Sequence, residues 1–99
     1  MDNPLNCAII GYGYMGEIRH RVLNQERLVN LDMICESDPA KISYEHKCEM
    51  VSDPSDVIES DVKAVFICTP NNLIPEITVQ CLKRGKHVFC EKPPGRTLD

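Results

Sequence analysis

The stretch LNCAIIGYGYMG, residues 5–16, decides the fold of this 99-residue chain. It opens with a continuous apolar run, Leu5–Ile10, which is typical of a strand covered on both faces of a parallel sheet. The run ends in a G-x-G-x-x-G pattern at residues 11–16, and a segment with helical spacing, Tyr14–Arg27, continues from it. A strand, a glycine turn and a helix in this order are the context in which the pattern holds the phosphates of a dinucleotide.

Each glycine of this turn has its own predicted role. Gly11 allows the tight turn, Gly13 lets the backbone approach a pyrophosphate, and Gly16 lets the helix pack close to the sheet. The amides near Tyr14 and Met15 are then expected to point at the phosphates, where the helix dipole adds to the attraction. A plain glycine turn without a ligand is the minor alternative.

Outward from the turn, further short apolar runs predict four more strands: Leu31–Cys35, Cys48–Val51, Ala64–Cys68 and His87–Cys90. The segments between them have helical features, and only residues 39–47 are weakly helical. The side chains that share one face of the first helical segment are Met15, Ile18 and Val22. Asp53 and Pro54 suit the N-cap and first position of a second helix. A third helix follows Asn72 and ends near Gly85, and its predicted inner face consists of Ile74, Ile77, Thr78 and Cys81.

Strands that alternate with helices predict an α/β fold, a Rossmann-type doubly wound parallel sheet of about five strands in the order 3-2-1-4-5. The usual sixth strand is absent. A chain of 99 residues makes one domain at most. We therefore expect residues 1–99 to be an NAD(P)-binding Rossmann domain, incomplete at its C-terminal end and truncated before a second α/β domain.

An acidic residue at the end of the second strand is the next requirement of a dinucleotide fold, because it holds the ribose hydroxyls. Glu36 occupies that position, directly after Leu31–Cys35. Its carboxylate favours NAD, since it would repel the 2′-phosphate of NADP. Ser37 could soften that preference, so that NADP is disfavoured and still possible. A solvated acidic turn is the structural alternative for Glu36.

Composition and charge narrow the class of partner. The formal charge of −4 argues against nucleic acid and against an anionic membrane surface. No signal peptide and no apolar run long enough to span a bilayer is found. The six cysteines form no C-x-x-C pair, and most lie in predicted strands, so we expect buried reduced thiols, no metal site and a cytoplasmic protein. His20 is expected on the solvated side of the first helix, without a functional role.

Two further motifs follow predicted strands at the carboxyl edge of the sheet, where open α/β folds bind ligands. They are Cys68–Leu73 (CTPNNL) and Gly85–Pro93 (GKHVFCEKP). Together with the glycine turn and Glu36, they make the chain closely resemble the Gfo/Idh/MocA oxidoreductases, over essentially its whole length. Each motif alone is weak, and their combination in this order is specific.

The resemblance implies a function and further site residues. Thr69, Pro70 and Asn71 correspond to residues that line the dinucleotide, and Glu91 corresponds to one near the nicotinamide ribose. Lys92 corresponds to a catalytic residue that reaches the oxygen on the reacting substrate carbon, where a cation stabilises a developing alkoxide. The expected reaction is hydride transfer between NAD(P) and a hydroxyl or carbonyl carbon of a sugar, cyclitol or related polyol.

The sequence also departs from the family. Ile74 stands where members usually carry histidine, and the second domain, which holds most of the substrate pocket and often the dimer surface, is not present in the 99 residues. We therefore expect this chain alone to be inactive, and a homo-oligomer only where that domain is present. A non-catalytic NAD(P)-binding or sensor module is the alternative function. A methyltransferase-like nucleotide fold ranks lower, because it gives no reason for residues 91–93.

Overall fold

A computed structural model describes residues 4–38, 40, 48–69 and 74–90 of the chain. Within these residues, five strands alternate with three helices. The strands are β1 (Leu5–Ile10), β2 (Val29–Cys35), β3 (Glu49–Val51), β4 (Ala64–Ile67) and β5 (His87–Cys90). The helices are α1 (Tyr14–Asn24), α2 (Pro54–Ile58) and α3 (Ile74–Lys83).

The sheet is parallel throughout, with the order β3-β2-β1-β4-β5. This confirms the predicted Rossmann-type topology and its 3-2-1-4-5 order. The chain leaves the centre at β1, builds outward to β3, and then crosses back to β4 on the other side of β1. The reversal places the glycine turn after β1 at the switch point of the sheet, which is where open α/β folds bind ligands.

Apolar side chains cover both faces of the sheet, as a doubly wound fold requires. Alternate residues of β1 point to opposite faces, so Cys7 and Ile9 pack with Leu23 of α1. Ala8 and Ile10 pack on the other face with side chains of α2 and α3. The buried residues on that second face are Ala8, Ile10, Met33, Cys35, Val57, Val62, Val65, Ile67, Ile77 and Cys81. The larger core therefore lies under α2 and α3.

The apolar residues that share one face of the first helix, Met15, Ile18 and Val22, are not its buried residues. The buried residues of α1 are Gly16, His20 and Leu23, whereas Val22 is 45% exposed. The helix also ends at Asn24, before Arg27, because the amide of the C-cap Gln25 donates to the Val22 carbonyl in a turn. The inner face predicted for the third helix is correct, with Ile77 and Cys81 buried. The weakly helical segment 39–47 lies outside the described residues, apart from Ala40.

All six cysteines are free thiols, as expected, but they are not all buried. Cys7, Cys35 and Cys81 are buried, whereas Cys90 is exposed on β5. Among the described residues, no helix is long and apolar enough to cross a membrane.

Candidate dinucleotide-binding cleft

Three backbone hydrogen bonds join the ends of four strands at the carboxyl edge of the sheet. The Gly11 amide donates to the Cys35 carbonyl at 2.8 Å, and the Cys68 amide donates to the Ile10 carbonyl at 2.7 Å. The Glu36 amide donates to the Val51 carbonyl at 2.9 Å. These bonds extend the ladder one residue beyond each strand, so the residues that leave the sheet here are held in fixed positions.

A cleft of about 530 Å³ opens at this edge. Its described lining consists of Ile10, Gly11, Cys35, Glu36, Ser37, Asp38, Ser52, Pro54, Thr69 and Ile77. Gly11, Glu36 and Thr69, which were predicted separately from three different motifs, therefore share one cleft. Ser52 and Pro54 were predicted only as a helix start. The position of Ser52 after β3, at the ligand-binding edge, is the signal that could have identified it.

The glycine turn leaves no room for side chains at two positions. Gly11 has φ +95°, and a Cβ there would lie 2.8 Å from the Cys68 carbonyl carbon and 2.9 Å from Thr69 Cγ2. A Cβ on Gly16 would collide with the Gly11 carbonyl oxygen. The close approach of α1 to the end of β1 thus depends on Gly16, as predicted. Gly13 is the N-cap of α1 and has an extended conformation.

The N-cap residues of α1 and α2 differ in whether their side chains cap the helix. The Asp53 side chain accepts a hydrogen bond from the Ser55 amide at 3.0 Å and so caps α2. Gly13 gives α1 no side-chain cap. The amides in the first turn of an α-helix have no partner within the helix, and those of α1 belong to Tyr14, Met15 and Gly16. An anion bound at the start of α1 would find donors and a favourable helix dipole there.

Glu36 is not a solvated acidic turn. It is 8% exposed, and its carboxylate accepts hydrogen bonds from the Tyr12 amide at 2.6 Å and the Asp38 amide at 2.8 Å. A buried carboxylate needs such partners, because unpaired charge is costly to remove from water. The carboxylate is thereby fixed between the glycine turn and the end of β2.

The prediction that His20 is solvated is wrong. His20 is 9% exposed, and its Nδ1 shares a hydrogen bond of 2.7 Å with the Tyr12 hydroxyl. The two rings meet edge to face with their centroids 5.6 Å apart. Burial raises the pKa of Tyr12, which keeps its hydroxyl protonated at neutral pH. Apolar periodicity could not predict this contact, because it joins a turn residue to a polar helix residue.

The remaining predicted site residues, Pro70, Asn71, Glu91 and Lys92, lie outside the described residues. In the part of the chain that the structure describes, no cluster of three or more acidic, histidine or cysteine side chains has the arrangement of a metal site.

Comparison with known proteins gives one consistent family. The Gfo/Idh/MocA family model, described as an oxidoreductase family with an NAD-binding Rossmann fold, matches residues 5–99. A curated relative, 2,7-anhydro-N-acetylneuraminate hydratase of Escherichia coli, is 34% identical over 93 residues, which cover 90% of this chain and 24% of that protein.

Solved structures agree with it. The myo-inositol 2-dehydrogenase of Lactobacillus plantarum superposes with a TM-score of 0.83 at 34% identity, over 92% of this chain and 29% of that one. The scyllo-inositol dehydrogenase of Lactobacillus casei, solved with NAD(H) and scyllo-inositol, superposes with a TM-score of 0.82 at 28% identity, over 92% of this chain and 28% of that one. The chain thus spans between 24% and 29% of the length of these relatives.

Proposed function

This chain belongs to the Gfo/Idh/MocA oxidoreductase family as an NAD-binding Rossmann domain, and on that premise we propose that it binds the dinucleotide of a dehydrogenase for sugars, cyclitols or related polyols. In that role residues 1–99 are the N-terminal domain, and a further domain holds the substrate. The inositol dehydrogenases among its structural relatives support this substrate class.

The observation that carries the proposal is the convergence of three features at the carboxyl edge of the sheet. The turn at Gly11 brings the backbone close, α1 begins without a side-chain cap, and Glu36 is held between them. A dinucleotide needs a donor array for its pyrophosphate and an acceptor for its ribose hydroxyls, at the carboxyl edge of the sheet. Both parts belong to this edge, and the glycine turn that joins them has no room for a Cβ at Gly11 or Gly16.

The charges of the cleft favour NAD over NADP. Glu36 and Asp38 contribute its acidic side chains, and its described lining includes no lysine or arginine. A 2′-phosphate carries negative charge and is usually bound by a cation. Beside these carboxylates it would be repelled, whereas a ribose 2′-hydroxyl would donate to Glu36.

The bound dinucleotide supplies hydride chemistry at its nicotinamide ring. Within this chain, Gly13, Tyr14 and Met15 are proposed to hold the phosphates, and Thr69, Pro70 and Asn71 to line the dinucleotide. Glu91 is assigned to the nicotinamide ribose. Lys92 is proposed to hold the substrate oxygen, where its ammonium stabilises negative charge as the hydroxyl proton leaves.

The proposal is tested by titrating the 99-residue chain with NADH and with NADPH in parallel, by calorimetry. We expect saturable binding that is tighter for NADH. A preference for NADPH would overturn the assignment of Glu36 while retaining a dinucleotide site. Binding of neither by a chain that circular dichroism shows to be folded would contradict the proposal.

Catalysis is tested in a longer protein that includes the substrate domain. There, Lys92→Ala is expected to abolish turnover of a polyol while leaving NADH affinity largely unchanged, because the ammonium acts on the substrate. A non-catalytic NAD-binding module would instead bind NADH in the unchanged protein and show no Lys92-dependent turnover. One of the relatives is named as a hydratase. A third outcome is therefore the net hydration of a related carbohydrate instead of its net oxidation.

A further inference from the structure

Tyr12 connects the glycine turn to β2 through its backbone amide and to α1 through its hydroxyl. Its backbone amide donates to Glu36 at the end of β2, and its hydroxyl is bonded to His20 in the middle of α1. Tyr12 itself belongs to the turn after β1 and is 8% exposed. One residue therefore connects the glycine turn to both the proposed ribose carboxylate and the helix that faces the phosphates.

The spacing of α1 allows this connection. Gly16 and His20 lie four apart on one face of α1, and Tyr12 lies in the turn that precedes the helix. Gly16 lies beside the tyrosine ring, since a Cβ there would be 3.6 Å from Tyr12 Cδ1. The tyrosine ring thus passes over the bare first turn of the helix and reaches the histidine one turn further on.

The contact between Tyr12 and His20 is buried, unlike an ordinary contact between surface side chains. His20 and Glu36 are two of the three charged or polar side chains classed as buried among the described residues, and both are bonded to Tyr12. Buried polar groups need hydrogen-bond partners, so the bond between the Tyr12 hydroxyl and His20 stabilises both side chains in this position. The bonds therefore restrict the turn to one arrangement.

From this geometry we infer that Tyr12 and His20 are a positioning pair, which holds the glycine turn in its dinucleotide-binding conformation without touching the ligand. The inference rests on the proposed function and assigns roles to Tyr12, a variable position of the glycine motif, and to His20, which lies beyond it. Its physical basis is preorganisation: a turn that is already fixed loses less conformational freedom when a pyrophosphate binds.

The test compares NADH affinity in four forms of the 99-residue chain by calorimetry. Tyr12→Phe removes only the hydroxyl and retains the amide that donates to Glu36. We expect it to weaken NADH binding by about three- to tenfold, the range that corresponds to one net hydrogen bond. His20→Ala is expected to weaken it similarly. His20→Asn places an amide group where Nδ1 lay, and we expect affinity within about twofold of the unchanged chain.

A control separates positioning from general stability. Leu23→Val trims another buried side chain on the same face of α1, away from the turn. We expect it to lower the unfolding midpoint without changing NADH affinity. Equal affinity in the unchanged chain and Tyr12→Phe, no rescue by His20→Asn, or an affinity loss in Leu23→Val as large as in Tyr12→Phe would each overturn the inference. An unchanged chain that does not bind NADH overturns the proposed function and this inference with it.

Discussion

At the scale of single residues, Glu36 combines a structural role in the glycine turn with a proposed role in recognition. Its carboxylate is held by the amides of Tyr12 and Asp38, which leaves lone pairs for a ribose hydroxyl, since each carboxylate oxygen can accept more than one bond. The sequence position predicted its role, because an acidic residue after the second strand is part of the dinucleotide pattern. The amide of Tyr12 could not be predicted, because that bond joins residues 24 positions apart.

Glu36→Gln tests the charge while keeping the size of the side chain. Gln can still accept the Tyr12 hydrogen bond, but it no longer repels a 2′-phosphate. We expect the preference for NADH over NADPH to fall by about tenfold or more, as one charge is removed near the phosphate. The affinities are measured by calorimetry. Asp32→Asn makes the same charge change on the exposed side of β2, outside the cleft, and should leave the preference unchanged.

A Cβ has no room at Gly16 but has open space at Gly85. Alanine substitutions at the two positions therefore test whether the lack of space at Gly16 matters. At Gly16 the added Cβ meets the Gly11 carbonyl oxygen, which is backbone and cannot move aside. We expect Gly16→Ala to lower the free energy of unfolding by about 2 kcal/mol or more and to abolish NADH binding. Gly85 has φ +77° with nothing within 4 Å of a Cβ, so Gly85→Ala should cost only about 1 kcal/mol, through backbone strain.

Urea unfolding measures both losses, and NADH titration separates them further. Gly85 lies at the end of α3, far from the cleft lining, so its variant should retain full NADH affinity. Similar effects of the two substitutions on binding would show that the close approach of α1 to β1 is not what the cleft requires.

At the scale of elements, apolar spacing predicted every strand and the type of every helix, but not the rotation of α1. Met15, Ile18 and Val22 are the most apolar set on that helix, yet its buried face is Gly16, His20 and Leu23. Gly16 allows the helix to approach Gly11 closely, and the buried His20 is hydrogen-bonded to Tyr12. Packing and a distant hydrogen-bond partner therefore outweigh hydropathy here.

The connection between α2 and β4 depends on a lysine from another element. Lys86, in the turn before β5, is 7% exposed, and its Nζ donates to the carbonyls of Ser60 at 2.6 Å and Val62 at 2.9 Å. The sequence offers a simple explanation for the basic residues near position 86, namely that cations are favourable at the C-terminus of the third helix. Lys86 instead serves the carbonyls that follow the second helix, and burial lowers its pKa.

Lys86→Met retains much of the aliphatic chain and removes the donor. We expect it to lower the free energy of unfolding by about 1–3 kcal/mol, because two carbonyls beneath the α2–β4 connection lose their partner. Lys83→Met, at an exposed position of α3, is the matched control and should change stability by no more than about 0.5 kcal/mol. Urea unfolding followed by circular dichroism compares the two, and equal losses would contradict the role given to Lys86.

At the scale of the whole molecule, the topology was predictable because it follows from few rules. Continuous apolar strands, helices between them and the glycine turn after β1 leave essentially one order for a right-handed parallel sheet. The cleft at the carboxyl edge follows from that order, and so does the meeting of Gly11, Glu36 and Thr69. The volume of the cleft and the Tyr12–His20 pair depend on how side chains from different segments pack together. A local sequence pattern does not predict such packing.

The same buried sheet makes the molecule sensitive to alkali. Burial raises the pKa of Cys7 from 9.0 to about 11 and that of Cys35 from 9.0 to about 12. Above pH 9 the unfolded thiols ionise while the folded ones stay protonated, so the unfolded state binds fewer protons. The contribution of each thiol to the free energy of unfolding is therefore fully present below pH 9. It is lost as the pH rises through the pKa of the folded state, by on the order of 2–4 kcal/mol per thiol.

Urea unfolding at pH 8, 9.5 and 10.5 measures this slope, and alanine variants assign it. Cys7→Ala and Cys35→Ala should each be less stable at pH 8, because they leave small cavities, yet lose less stability on going to pH 10.5. Val65→Ala removes volume from the same sheet and carries no proton, so its loss should be equal at every pH. If all three variants keep the slope of the unchanged chain, other groups govern the alkaline transition. A reduced slope in the cysteine variants alone identifies the two buried thiols as the source.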